Sequence, residues 1–156
     1  MVYENKEDRD KERYAIRRVR GFLKEAWKGK VSCRQTGTLS HEDFIVICEE
    51  DTVGIGEVKS RNYPTIFFKE HGWIMENARM DSLRARARKL EVDLILLVLH
   101  TSDKDVFVVS EEKLAHNKNQ LKPSSGKMMK DDHGRTGSKK KGFIIPFKLL
   151  TKTQEN

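Results

Sequence analysis

The sequence predicts an α/β fold, a central mixed β-sheet of about five strands flanked by helices. Three observations lead there. Segments of helical periodicity precede and interrupt a set of short apolar runs, giving the order helix, three strands, helix, two strands. The run Asp93-Leu94-Ile95-Leu96-Leu97-Val98-Leu99 is almost continuously apolar, the pattern of a central strand covered on both faces. And 156 residues suit one domain, which at that length buries about 68–70% of its unfolded surface.

Residues 4 to 28 read as the first helix, because Ile16, Val19, Leu23 and Ala26 recur at helical spacing and Phe22 and Trp27 widen the stripe. Glu12 extends that stripe by one turn, whereas Glu25 lies off it. Gly29 ends the helix. Val31 to Arg34 is a first strand, followed by Gln35-Thr36-Gly37-Thr38-Leu39-Ser40-His41, a loop rich in small hydroxyl residues. Phe44 to Cys48 and Val53 to Lys59 are two further strands, joined by Glu49-Glu50-Asp51 as a hairpin loop. Asn62-Tyr63-Pro64 breaks the third strand, and Thr65 to Phe68 reads as a short edge strand or the approach to a helix. Gly72 opens the second helix, Trp73 to Lys89, with Trp73, Met80, Leu83, Ala87 and Leu90 on its apolar face and Arg79, Arg84, Arg86 and Arg88 on the remainder. Gly54 and Gly56 lie on the face of their strand opposite Glu57, where they would let a helix approach closely. Val106 to Val109 follows the polar turn after the central strand, and His100 at that strand's end reads as structural. Residues 115 to 142 change character: Lys122, Lys127, Lys130, Arg135, Lys139, Lys140 and Lys141 outweigh Asp131 and Asp132, among Pro, Ser and Gly. This reads as a loop or basic arm. Phe143 to Phe147 returns to the core as an edge strand, given Pro146, and Leu149 and Leu150 close the fold.

Composition narrows the function classes. The formal net charge of +7 points to an anionic partner, nucleic acid or a charged surface. No apolar run approaches the ~20 residues that span a bilayer, and the charged N-terminal residues lack the apolar segment of a signal peptide. Cys33 and Cys48 fit no metal-ligand spacing and read as buried thiols in a reducing compartment. The expected setting is cytoplasmic, as a nucleoid-associated protein or a viral protein in a host cell.

The chemistry is concentrated in Val53-Gly54-Ile55-Gly56-Glu57-Val58-Lys59-Ser60-Arg61. Residues two apart in a strand point to one face, so Glu57 and Lys59 emerge side by side from an apolar strand. If Cys48 pairs with Thr52 across a three-residue loop, Asp43 falls opposite Glu57, their Cβ atoms about 4.5–5.5 Å apart. Two carboxylates at that distance repel unless a divalent cation lies between them, and an oxygen-rich site suits magnesium or manganese. Lys59 stands one step further along the same face, within reach of a phosphate or a water. The competing interpretation is that Glu57 and Lys59 form a surface ion pair.

Asp43, thirteen residues, then Glu57-Val58-Lys59 resembles the core signature of the PD-(D/E)XK nuclease superfamily, and Val58-Lys59-Ser60-Arg61 resembles its archaeal-type Holliday-junction resolvases. The resemblance covers roughly residues 10 to 110. It implies a restriction-endonuclease-like core and metal-dependent phosphodiester hydrolysis with Mg2+, for which Mn2+ substitutes. It implies a metal held by Asp43, Glu57, the Val58 carbonyl and Glu12, with Lys59 beside the attacking water. Thr36, Thr38 and Ser40 resemble the Ser/Gly-containing loop ahead of the metal-binding Asp, where hydroxyls and N–H groups hold phosphate. His41 reads as a further phosphate contact or base, or as an exposed loop residue. Arg61, Arg79 and Arg86 are candidate DNA contacts, and so are Lys139 and Lys140 in the basic arm, which the resolvase pattern does not predict. The signature departs at Glu42, where Pro is expected, and this makes Glu42 a rival to Asp43. The implied partner is branched DNA, cut by a homodimer because a four-way junction needs two opposed cuts. Two alternatives stand beside it: a superfamily nuclease acting on nicked, flapped, single-stranded or sequence-specific DNA, and an inactive nuclease-like module that only binds nucleic acid.

Overall fold

The computed structural model describes residues 6–37, 40–126 and 140–154. The chain runs α1 (Lys6–Trp27), β1 (Val31–Gln35), β2 (Phe44–Cys48), β3 (Asp51–Ser60), α2 (Thr65–His71), β4 (Trp73–Glu76), α3 (Asn77–Leu90), β5 (Leu94–His100), β6 (Val106–Ser110), α4 (Glu111–His116), β7 (Lys122–Gly126), β8 (Lys140–Ile145) and β9 (Thr151–Lys152). Six strands form one sheet in the order β1-β2-β3-β5-β6-β9. Strands β3 and β5 are parallel and the other neighbours antiparallel, so the sheet is mixed. A parallel pair needs a long crossover, and here it carries α2, β4 and α3. That connection brings α3 back over the sheet beside β3.

The apolar patterns explain the layers. In β5, Leu97 and Leu99 join one buried cluster while Leu96 and Val98 join the other, so both faces of this strand are covered. Helix α1 covers one face with Ala15, Ile16, Val19 and Leu23, against Phe44, Val46, Val58 and Val98. Helix α3 covers the other with Met80, Leu83 and Ala87, against Ile55, Leu97 and Leu99. Ala26, Trp27 and Leu90, expected on the apolar faces, are exposed because each lies at its helix end, past the sheet.

Four local expectations are corrected. Trp73 to Glu76 is a strand, not the start of the second helix: Trp73 and Met75 are buried and Ile74 faces out, the alternation of a pleat. It pairs with β8, which is the middle strand of a second sheet, β4-β8-β7, rather than an edge. Pro146 lies just beyond β8, so its missing N–H costs the ladder nothing. Thr65 opens a true helix, α2. The residue before it, Pro64, offers no capping side chain; Asp103 does, accepting from the Thr65 N–H at 3.2 Å and the Thr65 hydroxyl at 2.9 Å. Gly72 ends α2 at φ 74°, and a Cβ there would lie 2.8 Å from the Ile145 carbonyl oxygen. Gly54 and Gly56 do not admit a helix. Side chains of neighbouring strands fill their places, Leu94 at Gly54 and the Phe44 ring at Gly56, where a Cβ would come within 2.0 Å of the ring.

The β2–β3 hairpin differs from expectation in a way that matters for the site. Cys48 pairs with Asp51, so the turn is only Glu49-Glu50, both at positive φ (50° and 75°). This is the sign pattern of a primed two-residue turn, which matches strand twist and disfavours bulky residues. Between Val46 and Ile47 the register then shifts: Ile47 pairs with Thr52 but Val46 with Gly54, leaving Val53 as a bulge. The shorter turn and the extra residue cancel. Phe44 pairs with Gly56, and Asp43, the residue before β2, is brought to the end of β3 beside Glu57 and Val58.

Candidate active site

Asp43 is fixed by backbone bonds on both sides. The Asp43 N–H donates to the Gly56 carbonyl at 2.9 Å, and the Asp43 carbonyl accepts from the Thr36 N–H at 2.9 Å. The Asp43 Oδ2 accepts from the Val58 N–H at 2.8 Å, which aims the carboxylate at the end of β3. Glu57 is 4% exposed. Its Oε1 is 3.4 Å from Lys59 Nζ, and its Oε2 accepts from Arg79 Nε at 2.7 Å and from a second guanidinium nitrogen of Arg79. That second nitrogen also donates to the His41 carbonyl.

Glu12 enters from the other face of the sheet. It is buried, and its Oε1 accepts from Gln35 Nε2 at 3.3 Å. Gln35 Nε2 is also 3.3 Å from the Arg9 carbonyl, and Arg9 donates to the Thr36 carbonyl at 3.0 Å. These bonds pin the start of α1 against the end of β1. Glu25 is exposed, far from this arrangement in character and in place.

The electrostatic consequence falls on Asp43. Its carboxyl pKa is pushed from 3.8 up to about 8, first by burial, then by Glu57 and Glu12; the Val58 N–H and Lys59 pull the other way and lose. Desolvated carboxylates that crowd one another favour the neutral form unless positive charge is added. The donor set is hard oxygen, which fits magnesium or manganese. Among the described residues, no three Asp, Glu, His or Cys side chains are already drawn together as a metal cage; Glu57 instead faces Lys59 and Arg79. The set thus fits a divalent ion in charge and donor type, with Glu57 engaged by its cations.

Residues 1–132 match a family described as "Phage putative PDDEXK endonuclease". The chain belongs to that phage PDDEXK endonuclease family. It is therefore a nuclease of the PDDEXK superfamily. Among solved structures, the chain is similar to Archaeoglobus fulgidus Hjc, a Holliday junction resolvase, with 14% identity, 83% of this chain and 91% of that chain covered, and a TM-score of 0.47. No curated protein matches the chain.

Other sequence-predicted residues of this endonuclease are placed as follows. Glu42, the rival to Asp43, is 3% exposed and grips Arg86 through Oε2 at 2.8 Å and Oε1 at 3.4 Å. Arg86, expected on DNA, is thus committed to a buried carboxylate. Arg79 is committed to Glu57, and Arg84 Nε lies 3.1 Å from Glu111. The Thr36 hydroxyl donates to the Glu42 carbonyl at 2.5 Å, inside its own loop. Ser40 is exposed, as is His41. Arg61 sits just past β3, 3.4 Å from the Ser60 carbonyl. Thr38 and Lys139 lie outside the described residues; Lys140 is in β8, and its side chain is outside them. His100 is buried, 3.3 Å from the Ser60 hydroxyl, and burial with Lys11, Arg18 and Lys104 nearby lowers its pKa.

Sequence reasoning missed the partners of Arg79 and Arg86. A signal was present: the two lie two turns apart on α3 and border the buried stripe Met80, Leu83 and Ala87. Arginines at the border of a buried face meet the sheet more readily than those at its centre line of exposure.

Proposed function

We propose that the protein is a divalent-metal-dependent endonuclease that hydrolyses phosphodiester bonds in DNA, with branched DNA as its preferred substrate and a symmetric dimer as its working form. The observation that carries the hydrolytic reading is the convergence of Asp43 and Glu57 across β2 and β3, with Lys59 3.4 Å from Glu57 and a third acid, Glu12, acting on Asp43. The preference for branched DNA and the dimer rest on the resemblance of Val58-Lys59-Ser60-Arg61 to resolvases.

Asp43 and Glu57 hold the metal, with the Val58 carbonyl as a further ligand, and Glu12 supports the metal or its water. When bound, magnesium, or manganese in its place, lowers the pKa of water and offsets charge on the phosphate and the leaving oxygen. Lys59 positions the attacking water and stabilises negative charge on the phosphate. Its Nζ lies 3.4 Å from Glu57, and it acts by electrostatics rather than as a base. Arg61 and the lysines of the 115–142 segment supply backbone phosphate contacts without reading bases. A DNA substrate places the protein's action inside a cell. Among the described residues no helix is long and apolar enough to cross a membrane.

The test is a cleavage panel of four-way junctions, flaps, duplexes and single strands with magnesium, manganese or chelator. Paired symmetric cuts in junctions, lost with chelator, are expected. Cleavage confined to flaps or simple duplexes would move the enzyme to another substrate class. No cleavage of any form would leave a nucleic-acid-binding module.

A further inference from the structure

The geometry points to Arg79 as a built-in counter-cation at Glu57, one that a divalent metal must displace and that sets the metal's affinity. This rests on the reading of Glu57 as a metal ligand. Glu57 is buried and its Oε2 receives two donors of the same guanidinium, Nε at 2.7 Å and the second nitrogen. A carboxylate oxygen taken by a guanidinium fork has its lone pairs occupied, and a dication binding it would stand beside a fixed positive charge. Both lone-pair competition and repulsion oppose metal while Arg79 stays.

Arg79 also donates to the His41 carbonyl. It is therefore tied to both segments that deliver acids to the site, β3 and the stretch leading into Asp43. Its side chain is 27% exposed, so the guanidinium borders solvent and can swing out on its long stem. Once released it lies next to the place where a DNA phosphate would arrive, and a guanidinium suits phosphate as well as carboxylate. Metal loading and phosphate contact then draw on the same side chain.

The same helix supplies a control. Arg86 grips Glu42 in an equivalent pair, with Oε2 at 2.8 Å, and Asp43, not Glu42, is the residue whose carboxylate reaches the Val58 N–H. Neutralising Arg86 changes a buried ion pair without freeing a metal ligand.

The experiment is calorimetric titration of Mn2+ into the full chain without DNA. Arg79→Met is expected to bind Mn2+ about tenfold more tightly than wild type, the order for removing one charge-assisted competitor, and Arg79→Lys is expected to fall between them. Arg86→Met should match wild type. A second measurement uses the wild-type protein: the Arg79 Nε–H resonance, assigned by its loss in Arg79→Lys, should leave its carboxylate-bonded position as Mg2+ is added. Equal or weaker Mn2+ binding by Arg79→Met, or an Arg79 resonance unmoved at saturating Mg2+, would overturn the inference. Glu57→Gln separates the two levels: wild-type Mn2+ affinity in that variant sinks the metal site itself, whereas failure of the arginine tests with Glu57→Gln inactive in binding sinks Arg79's role alone.

Discussion

Replacing Asp43 with Asn tests the electrostatics of the site through folding stability, independently of cleavage. The Asn carbonyl oxygen can still accept from the Val58 N–H, so the substitution removes charge and keeps the bond. In the unfolded chain Asp43 loses its proton near 3.8; in the fold it keeps it up to about 8. Between those values the folded state binds the extra proton, so wild-type stability is full below the unfolded value and falls as pH rises through about 8. One proton is worth about 1.4 kcal/mol per pH unit, giving a ceiling of about 6 kcal/mol across the window. Relaxation and water entry lower this, and a gain of about 2–3 kcal/mol for Asp43→Asn at pH 8 is the expected outcome. The assay is urea unfolding with chelator at steps from pH 4 to pH 9. Wild type and variant should coincide near pH 4 and diverge steadily above it, and saturating magnesium should close the gap from the wild-type side. Parallel curves, offset by a constant at every pH, would refute the raised pKa of Asp43, set first by burial and then by Glu57 and Glu12.

Three further outcomes are expected. Lys59→Ala should abolish cleavage, with DNA affinity by anisotropy within about twofold of wild type, since one phosphate contact among many is lost; cleavage at the wild-type rate would remove Lys59 from the mechanism. Glu12→Gln keeps the bond from Gln35 but removes charge, and should slow cleavage at limiting magnesium more than at saturating magnesium; an equal effect at both would make Glu12 a purely structural residue. Arg86→Ala strands the buried Glu42 carboxylate and should cost about 3 kcal/mol in urea unfolding, most of it recovered by adding Glu42→Gln; a loss below half a kcal/mol would mean that water reaches Glu42.

Elements whose burial is written in their own residue spacing were legible from pattern. Ile16, Val19 and Leu23 of the predicted stripe and the doubly covered β5 follow from periodicity, whereas Ala26 is exposed and the buried Ala15 was not anticipated. Elements whose causes are distant were not. The N-terminus of α2 is satisfied by Asp103, and β4 exists because β8 pairs with it, Trp73 opposite Ile145. Neither partner leaves a mark on residues 65 to 76. The Phe44–Gly56 register that brings Asp43 near Glu57 was anticipated with the wrong turn, because Val53 supplies the residue that the tighter loop omits. Arg79 and Arg86 looked like surface charge; their place beside the buried stripe of α3 marks them as facing the sheet, but the acids they meet there, Glu57 and Glu42, are distant in sequence.

The kinked strand at Val53 has a consequence for how this gene can change. Val53 pairs with no residue of β2, so deleting one codon between Ile47 and Val53 would remove the bulge and leave a regular two-residue hairpin with Phe44 still opposite Gly56. A second deletion would have no slack left to absorb it, and would slide β2 against β3 and turn Asp43 from the face of Glu57. The bulge is thus a reserve of one residue that lets the hairpin tip vary while the approach of the two acids is kept.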